Sequence, residues 1–120
     1  IDRTVRPGDD PVKLCFQDGE IVDFHKMPDQ PHDDFAEWIG FLRLSPDISA
    51  RVAESARPYI EARDTEVIYE QTFRNLVRSL PKDSFGVEDI TGLPWTEIDF
   101  PEDLAKAEND IYAILAKLPT

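Results

Sequence analysis

VKLCFQDGEIVDFHK, residues 12 to 26, is two short strands and a turn, and the rest of the chain has to be arranged around it. Residues 12 to 16 (VKLCF) and 20 to 25 (EIVDFH) alternate apolar and polar side chains on either side of Gln17-Asp18-Gly19. Alternation sends successive side chains to opposite faces of a strand, and Asp-Gly supplies the positive φ angles of a tight turn. A β-hairpin is the expectation.

Before the hairpin, IDRTVRPGDDP has little periodicity and reads as an irregular lead-in with a turn at Pro7-Gly8. After it, KMPDQPHDD is a loop, and AEWIGFLRLS, residues 36 to 45, reads as a mostly apolar strand buried on much of both faces. Ser45-Pro46 places a capping hydroxyl and a first-turn proline ahead of Ile48, Val52, Ala56 and Ile60, which predicts a helix that Pro58 kinks or shortens. Thr65 is expected to cap a second helix with Ile68, Tyr69, Phe73, Leu76, Val77 and Leu80 on one stripe, ended by Pro81. Phe85 to Ile90 and Trp95 to Ile98 read as short strands around a Thr91-Gly92 turn. Pro101 then opens a helix whose Leu104, Ala107, Ile111, Ile114 and Leu118 form a buried stripe. The order β-β-β-α-α-β-β-α predicts an α/β fold, a mixed sheet with covering helices in one domain over residues 1 to 120.

At 120 residues the chain fits a single domain with a modest core. Its formal charge of −12, from 25 acidic and 13 basic residues, repels phosphate backbones, so nucleic acid is not the expected partner. A metal ion would be needed to bring a polyanion to an acidic pocket. No apolar run approaches the ~20 residues of a membrane helix, so no membrane role is expected. The one cysteine, Cys15, sits in an alternating run as a small buried hydrophobe; no disulfide or zinc ribbon is possible, and a cytoplasmic location is expected.

The chemistry concentrates in LPWTEIDFPEDLAKAE, residues 93 to 108, with Glu97, Asp99, Glu102 and Asp103 close together. One reading makes Asp99 a helix N-cap and Glu102 the third helical residue of a capping box. Against it, Pro101 prefers the first helical position, which makes Phe100 the cap and leaves Asp99 at a strand end, where open α/β folds place ligands. An oxygen ligand there suits Mg²⁺, which takes one or two carboxylates and completes its shell with phosphates and water. His32-Asp33-Asp34 reads better as a solvated loop than as a metal site. His25 with Asp23 is a possible acid/base pair or an ordinary polar sheet face. Trp38 and Trp95 read as core anchors.

WTEIDFPEDLAKAE resembles the carboxyl-terminal motif of the nucleotidyltransferase superfamily that includes sugar-phosphate nucleotidylyltransferases and phosphocholine cytidylyltransferases. DDPVKLCFQDGEIVDFHK resembles that family's hairpin ending in a lysine, EWIGFLRLS its Gly-bearing strand, and EVIYEQTFRNL the helix before the last strands. The resemblance spans residues 9 to 116 and implies the C-terminal portion of a Rossmann-like nucleotidyltransferase fold. It implies Asp99 as a Mg²⁺ ligand at the nucleotide α-phosphate and Glu97 as its support. Lys26 would bind the phosphate of the acceptor, while Glu37 and Gly40 flank the acceptor pocket. Gly40 either lets a ligand approach the backbone or accommodates a neighbouring strand. Where many sugar-phosphate members carry Glu-Lys-Pro, this chain has His25-Lys26-Met27.

The family's Gly-rich triphosphate loop and first metal-binding aspartate are not found in this sequence, and Asp2 does not match the latter. The expectation is therefore the acceptor-side, carboxyl-terminal half of a Mg²⁺-dependent nucleotidyltransferase, inactive by itself, which joins a nucleoside triphosphate to a phosphorylated sugar or small alcohol. Its partners would be those two substrates and an N-terminal half of the same protein, and a homo-oligomer is possible. The competing class is a non-catalytic α/β binding or regulatory module without the nucleotide loop.

Overall fold

The computed structural model describes residues 1–5, 10–64, 66 and 68–118. The turn expected at Pro7-Gly8 and the cap expected at Thr65 lie outside these residues, as does the side chain of Ile68.

The hairpin is present: β1 (Lys13–Gln17) pairs antiparallel with β2 (Glu20–His25). Asp18 and Gly19 turn the chain with φ of 52° and 81°, the left-handed pair that a two-residue turn between twisted strands requires. A register shift between Cys15 and Phe16 marks a bulge in β1. On the other edge of β1 lies β3 (Asp34–Glu37), also antiparallel, in the order β2-β1-β3. The described residues thus combine helices with a three-stranded antiparallel sheet, whereas a mixed sheet was expected.

The strand expected over residues 36 to 45 is displaced and shortened. Trp38 N–H still donates to Val12 O at 2.8 Å, but Gly40 turns left-handed at φ 86° and ends the extended run. Beyond it Phe41 is 83% exposed, so the expected burial of both faces does not hold.

Neither later strand forms. Along the outer edge of β3 an isolated antiparallel bridge joins Asp2 to Glu37. Ile1 then donates its ammonium to Glu88 O at 2.7 Å and accepts from Ile90 N–H at 2.9 Å, the bond pair of one parallel rung. Residues 85 to 90 therefore lie beside the sheet without a ladder. Residues 95 to 98 pair with no strand among the described residues; beyond β3 the sheet edge is taken by residues 1 and 2 and then 88 to 90.

Both central helices appear where expected. In α1 (Pro46–Glu61) the Ser45 hydroxyl accepts from Ile48 N–H, and the helix runs on for three residues past Pro58. Ile48, Val52 and Ala56 are half-buried, but Ile60 is exposed. In α2 (Ile68–Ser79), Thr72, Arg74, Leu76 and Val77 are buried. The two helices pack together, tied by Asn75 Nδ2 donating to Tyr59 Oη at 3.0 Å.

The core lies between α2 and the sheet. Val12, Leu14, Phe16, Ile21, Phe24, Ala36 and Val77 are buried there, with Trp38, Phe73 and Phe85 packed against them. Phe24 meets Trp38 edge-on at 5.4 Å and Phe73 at 6.0 Å. Each large apolar side chain removed from water in this way contributes about 1.5–3 kcal/mol.

One element of this interface is ionic. Asp23, fully buried on β2, accepts from Arg74 Nε at 2.9 Å and Nη2 at 3.0 Å, and from Arg78 Nη2 at 3.1 Å. Burial alone would raise its pKa, but the Arg74 fork, the backbone N–H groups of Phe24 and Asp29, and Arg78 together hold the carboxyl well below the usual range.

The C-terminal helix begins at Pro101 as expected and runs as α3 (Pro101–Lys106), a π turn over Ala107–Ile111 and α4 (Tyr112–Leu115). Tyr112 N–H reaches Ala107 O, five residues back, while Asn109 Nδ2 donates to Ala105 O at 2.8 Å. That side chain competes with the backbone for the Ala105 carbonyl, which accounts for the widened turn. The expected buried stripe does not form: Leu104, Ile114 and Leu118 are about half exposed, at 48%, 48% and 51%.

Candidate functional site

A cleft of about 1020 Å³ opens between the start of the chain, the ends of β2 and β3, residues 92 to 100 and the C-terminal helix. Lys26, Glu37, Gly40, Glu97 and Asp99, which lie far apart in sequence, all line it. The structure therefore brings every expected site residue to one concavity.

Their settings differ from expectation. Glu97 and Asp99 stand on an irregular segment and not on a sheet strand. Phe100 is the N-cap of α3, with Pro101 at the first helical position. The residue that reaches back is Asp103, not Glu102: its Oδ2 accepts from Phe100 N–H at 2.9 Å and Asp99 N–H at 3.2 Å. Asp103 thus supplies the capping carboxylate. Among the described residues the Asp99 carboxylate has no hydrogen-bond partner and is exposed on the cleft wall.

Lys26 Nζ lies 3.9 Å from Asp10 Oδ2, an exposed pair worth at most ~1 kcal/mol. Glu37 exchanges backbone hydrogen bonds with Asp2 at 2.8 and 3.0 Å, which fixes its main chain at the rim. A Cβ built on Gly40 meets nothing within 4 Å, so no neighbouring strand demands glycine there; the φ of 86° does. Tyr69, stacked obliquely 5.6 Å from Trp38, has its hydroxyl pKa raised by burial and by the charges of Glu70 and Glu97.

Asp2 also belongs to the cleft. It is buried, accepts from Trp95 Nε1 at 2.7 Å and Thr4 N–H at 2.7 Å, and these bonds outweigh burial and the charge of Asp89 to hold its pKa below the usual value. The sequence offered no sign of it, because the partner lies 93 positions away.

Two alternatives dissolve in the structure. His32 Nδ1 sits against Gln30 O, Asp33 accepts from Asp18 N–H, and Asp34 pairs with Arg3, so these three side chains serve separate partners. His25 Nδ1 faces Met27 N–H at 3.0 Å while Asp23 is committed to the arginines, so the two form no acid/base pair. Trp38 is a core anchor as expected, and Trp95 is half-buried.

Asp2, Asp10, Glu37, Glu97, Asp99 and Asp103 line the cleft together with Lys26 and Lys106, a balance that repels a phosphate unless a cation accompanies it. The available donors are oxygens, which suit Mg²⁺. Among the described residues no three His, Cys, Asp or Glu side chains form a group that could hold a metal by themselves. The donor set fits a Mg²⁺ ion completed by phosphate oxygens and water, not an all-protein cage. Among the described residues no helix is long and apolar enough to cross a membrane.

No family model, curated protein or solved structure matches this chain.

Proposed function

We propose that the chain is the acceptor-side half of a Mg²⁺-dependent nucleotidyltransferase that joins a nucleoside triphosphate to a phosphorylated sugar or small alcohol. One observation carries the reading: Lys26, Glu37, Gly40, Glu97 and Asp99 line a single cleft. Asp99 would hold the metal with Glu97 as its support, and the metal's positive charge would offset the negative charge of the nucleotide phosphates when it is bound. Lys26 would hold the acceptor phosphate, with Glu37 and Gly40 at the acceptor's flank.

In such a transfer an acceptor phosphate oxygen bonds to the α-phosphorus as the bond to the bridging oxygen breaks, and pyrophosphate leaves. Positioning does most of the work. Lys26 serves by orienting the attacking oxygen and by lowering the repulsion between two anions. The nucleotide loop would come from further polypeptide, a partner compatible with the exposed Phe41, Leu93, Ile98 and Phe100 around the cleft. The single buried cysteine is compatible with a cytoplasmic setting.

The competing reading is a non-catalytic α/β binding module, which the lack of a Gly-rich phosphate loop in this sequence favours. A panel of nucleoside triphosphates and phosphorylated acceptors, assayed for pyrophosphate release with the product of the complete reading frame, separates the two. Mg²⁺-dependent release supports the transferase. No release with any pair, together with a reading frame that lacks the Gly-rich loop, overturns it.

A further inference from the structure

The loop that carries Lys26 is tied down through its backbone and through Asp29, while the Lys26 side chain reaches only the exposed Asp10 among the described residues. Lys13 Nζ donates to Lys26 O at 2.7 Å, Met27 N–H meets His25 Nδ1 at 3.0 Å, and Asp29 N–H donates to Asp23 Oδ2 at 3.2 Å. The Asp29 carboxylate then pairs with both arginines of α2: with Arg74 Nη2 at 3.0 Å, and with Arg78 Nη2. Asp23, Asp29, Arg74 and Arg78 form a charge-balanced quartet, of which Asp29 is the one loop member and the most exposed, at 62%. Without Asp29 the quartet would keep one uncompensated positive charge beside the loop, and α2 would lose its charged hold on it.

We propose that Asp29, gripped by Arg74 and Arg78, is a positioning residue that sets Lys26 at the rim of the cleft, so that α2 governs the phosphate-binding lysine. The inference rests on the reading of Lys26 given above. Among the described residues the Lys26 ammonium makes one ion pair, the 3.9 Å contact with exposed Asp10, so its place is set chiefly by its backbone. Exposed ion pairs add little to stability, so the expected consequence of losing Asp29 is a displaced lysine more than an unfolded chain.

The test uses the 120-residue chain with its five lysines reductively methylated with ¹³C and followed by NMR, with inorganic phosphate as the probe. In Asp29→Ala the Lys26 resonance moves toward that of an unstructured lysine, and its affinity for phosphate falls at least threefold. Lys106, on the far wall, keeps its position, the thermal midpoint falls by only a few degrees, and Asp29→Glu restores the Lys26 signal. A Lys26 resonance in Asp29→Ala that superposes on wild type overturns the positioning role, whatever happens to the melting temperature. A wild-type Lys26 resonance that ignores phosphate overturns the phosphate-binding reading instead, and the phosphate-free spectra still decide the clamp.

Discussion

Trp95 Nε1 donates to Asp2 Oδ2 at 2.7 Å, a bond between residues 93 positions apart that pins the cleft's irregular wall to the sheet. Asp2 is buried, so removing the donor leaves an anionic acceptor short of a partner. Trp95→Phe should cost about 1–3 kcal/mol in urea unfolding, with increased hydrogen exchange over residues 92 to 100. Unchanged exchange there would mean that the wall is held by other contacts.

Arg74→Met should be the most damaging single change outside the apolar core. It leaves the fully buried Asp23 with only part of its compensation, a loss of about 3–5 kcal/mol by the behaviour of broken buried pairs. Replacing Asp23 with leucine at the same time should recover most of that, since a well-packed apolar pair rivals a buried ionic one. Denaturant midpoints of the single and double variants decide it.

The same carboxylate predicts a pH dependence. The folded pKa of Asp23 lies below its unfolded value, so its contribution is fully present above about pH 4 and is lost as pH falls through the folded pKa. Asp89 acts in the same direction: the Thr91 hydroxyl and backbone N–H, helped by Arg3, pull its pKa down to about 2, so its share is lost between about pH 4 and 2. The stability gap between wild type and Arg74→Met should therefore narrow on acidification. A gap that stays constant from pH 7 to 2 would contradict the ionic account.

How far these elements were legible depended on whether their signal was local. Asp18-Gly19 and Ser45-Pro46 carry their geometry within a few residues, and the hairpin and α1 followed from them. Residues 95 to 98 have the composition of a strand, but a strand exists only through a neighbour, and among the described residues none pairs with them. The five cleft residues came from a motif resemblance, and their convergence is structural. The burial of Arg74 is not legible in the sequence, because helical periodicity treats a charged residue as outward-facing and its partner Asp23 lies 51 positions away.

Asp99 and Asp103 should separate cleanly. Asp103→Ala removes the acceptor for two N–H groups and should cost about 0.5–2 kcal/mol of helix stability. Asp99→Ala, which removes no such bond, should stay within ~0.5 kcal/mol of wild type. If Asp99 is the metal ligand, Asp99→Ala should weaken Mn²⁺ binding, followed by electron paramagnetic resonance as a stand-in for Mg²⁺, by tenfold or more. The reverse pattern would transfer the ligand role to Asp103.

Cys15 offers a probe of global unfolding. Burial, and secondarily the charge of Asp23, push its thiol up to about 11, and it has no exposed surface. At pH 8 a disulfide reagent should modify it only as fast as the chain opens, and Arg74→Met should raise that rate. Rapid modification of the wild-type chain would show that this part of the sheet opens without global unfolding.

The π turn at Ala107–Ile111 gives the cleft its last wall. A widened turn holds one residue more than a regular helix would, and each residue advances an α-helix by about 100°. That single surplus residue works as a phase shifter. It lets Lys106 upstream and Ile111 and Ile114 downstream share one side of the same rod and line the cleft that Asp99 also lines. Drawing the turn back to regular α geometry with that residue still in place would rotate everything downstream by about 100° and swing the two isoleucines out of the cleft.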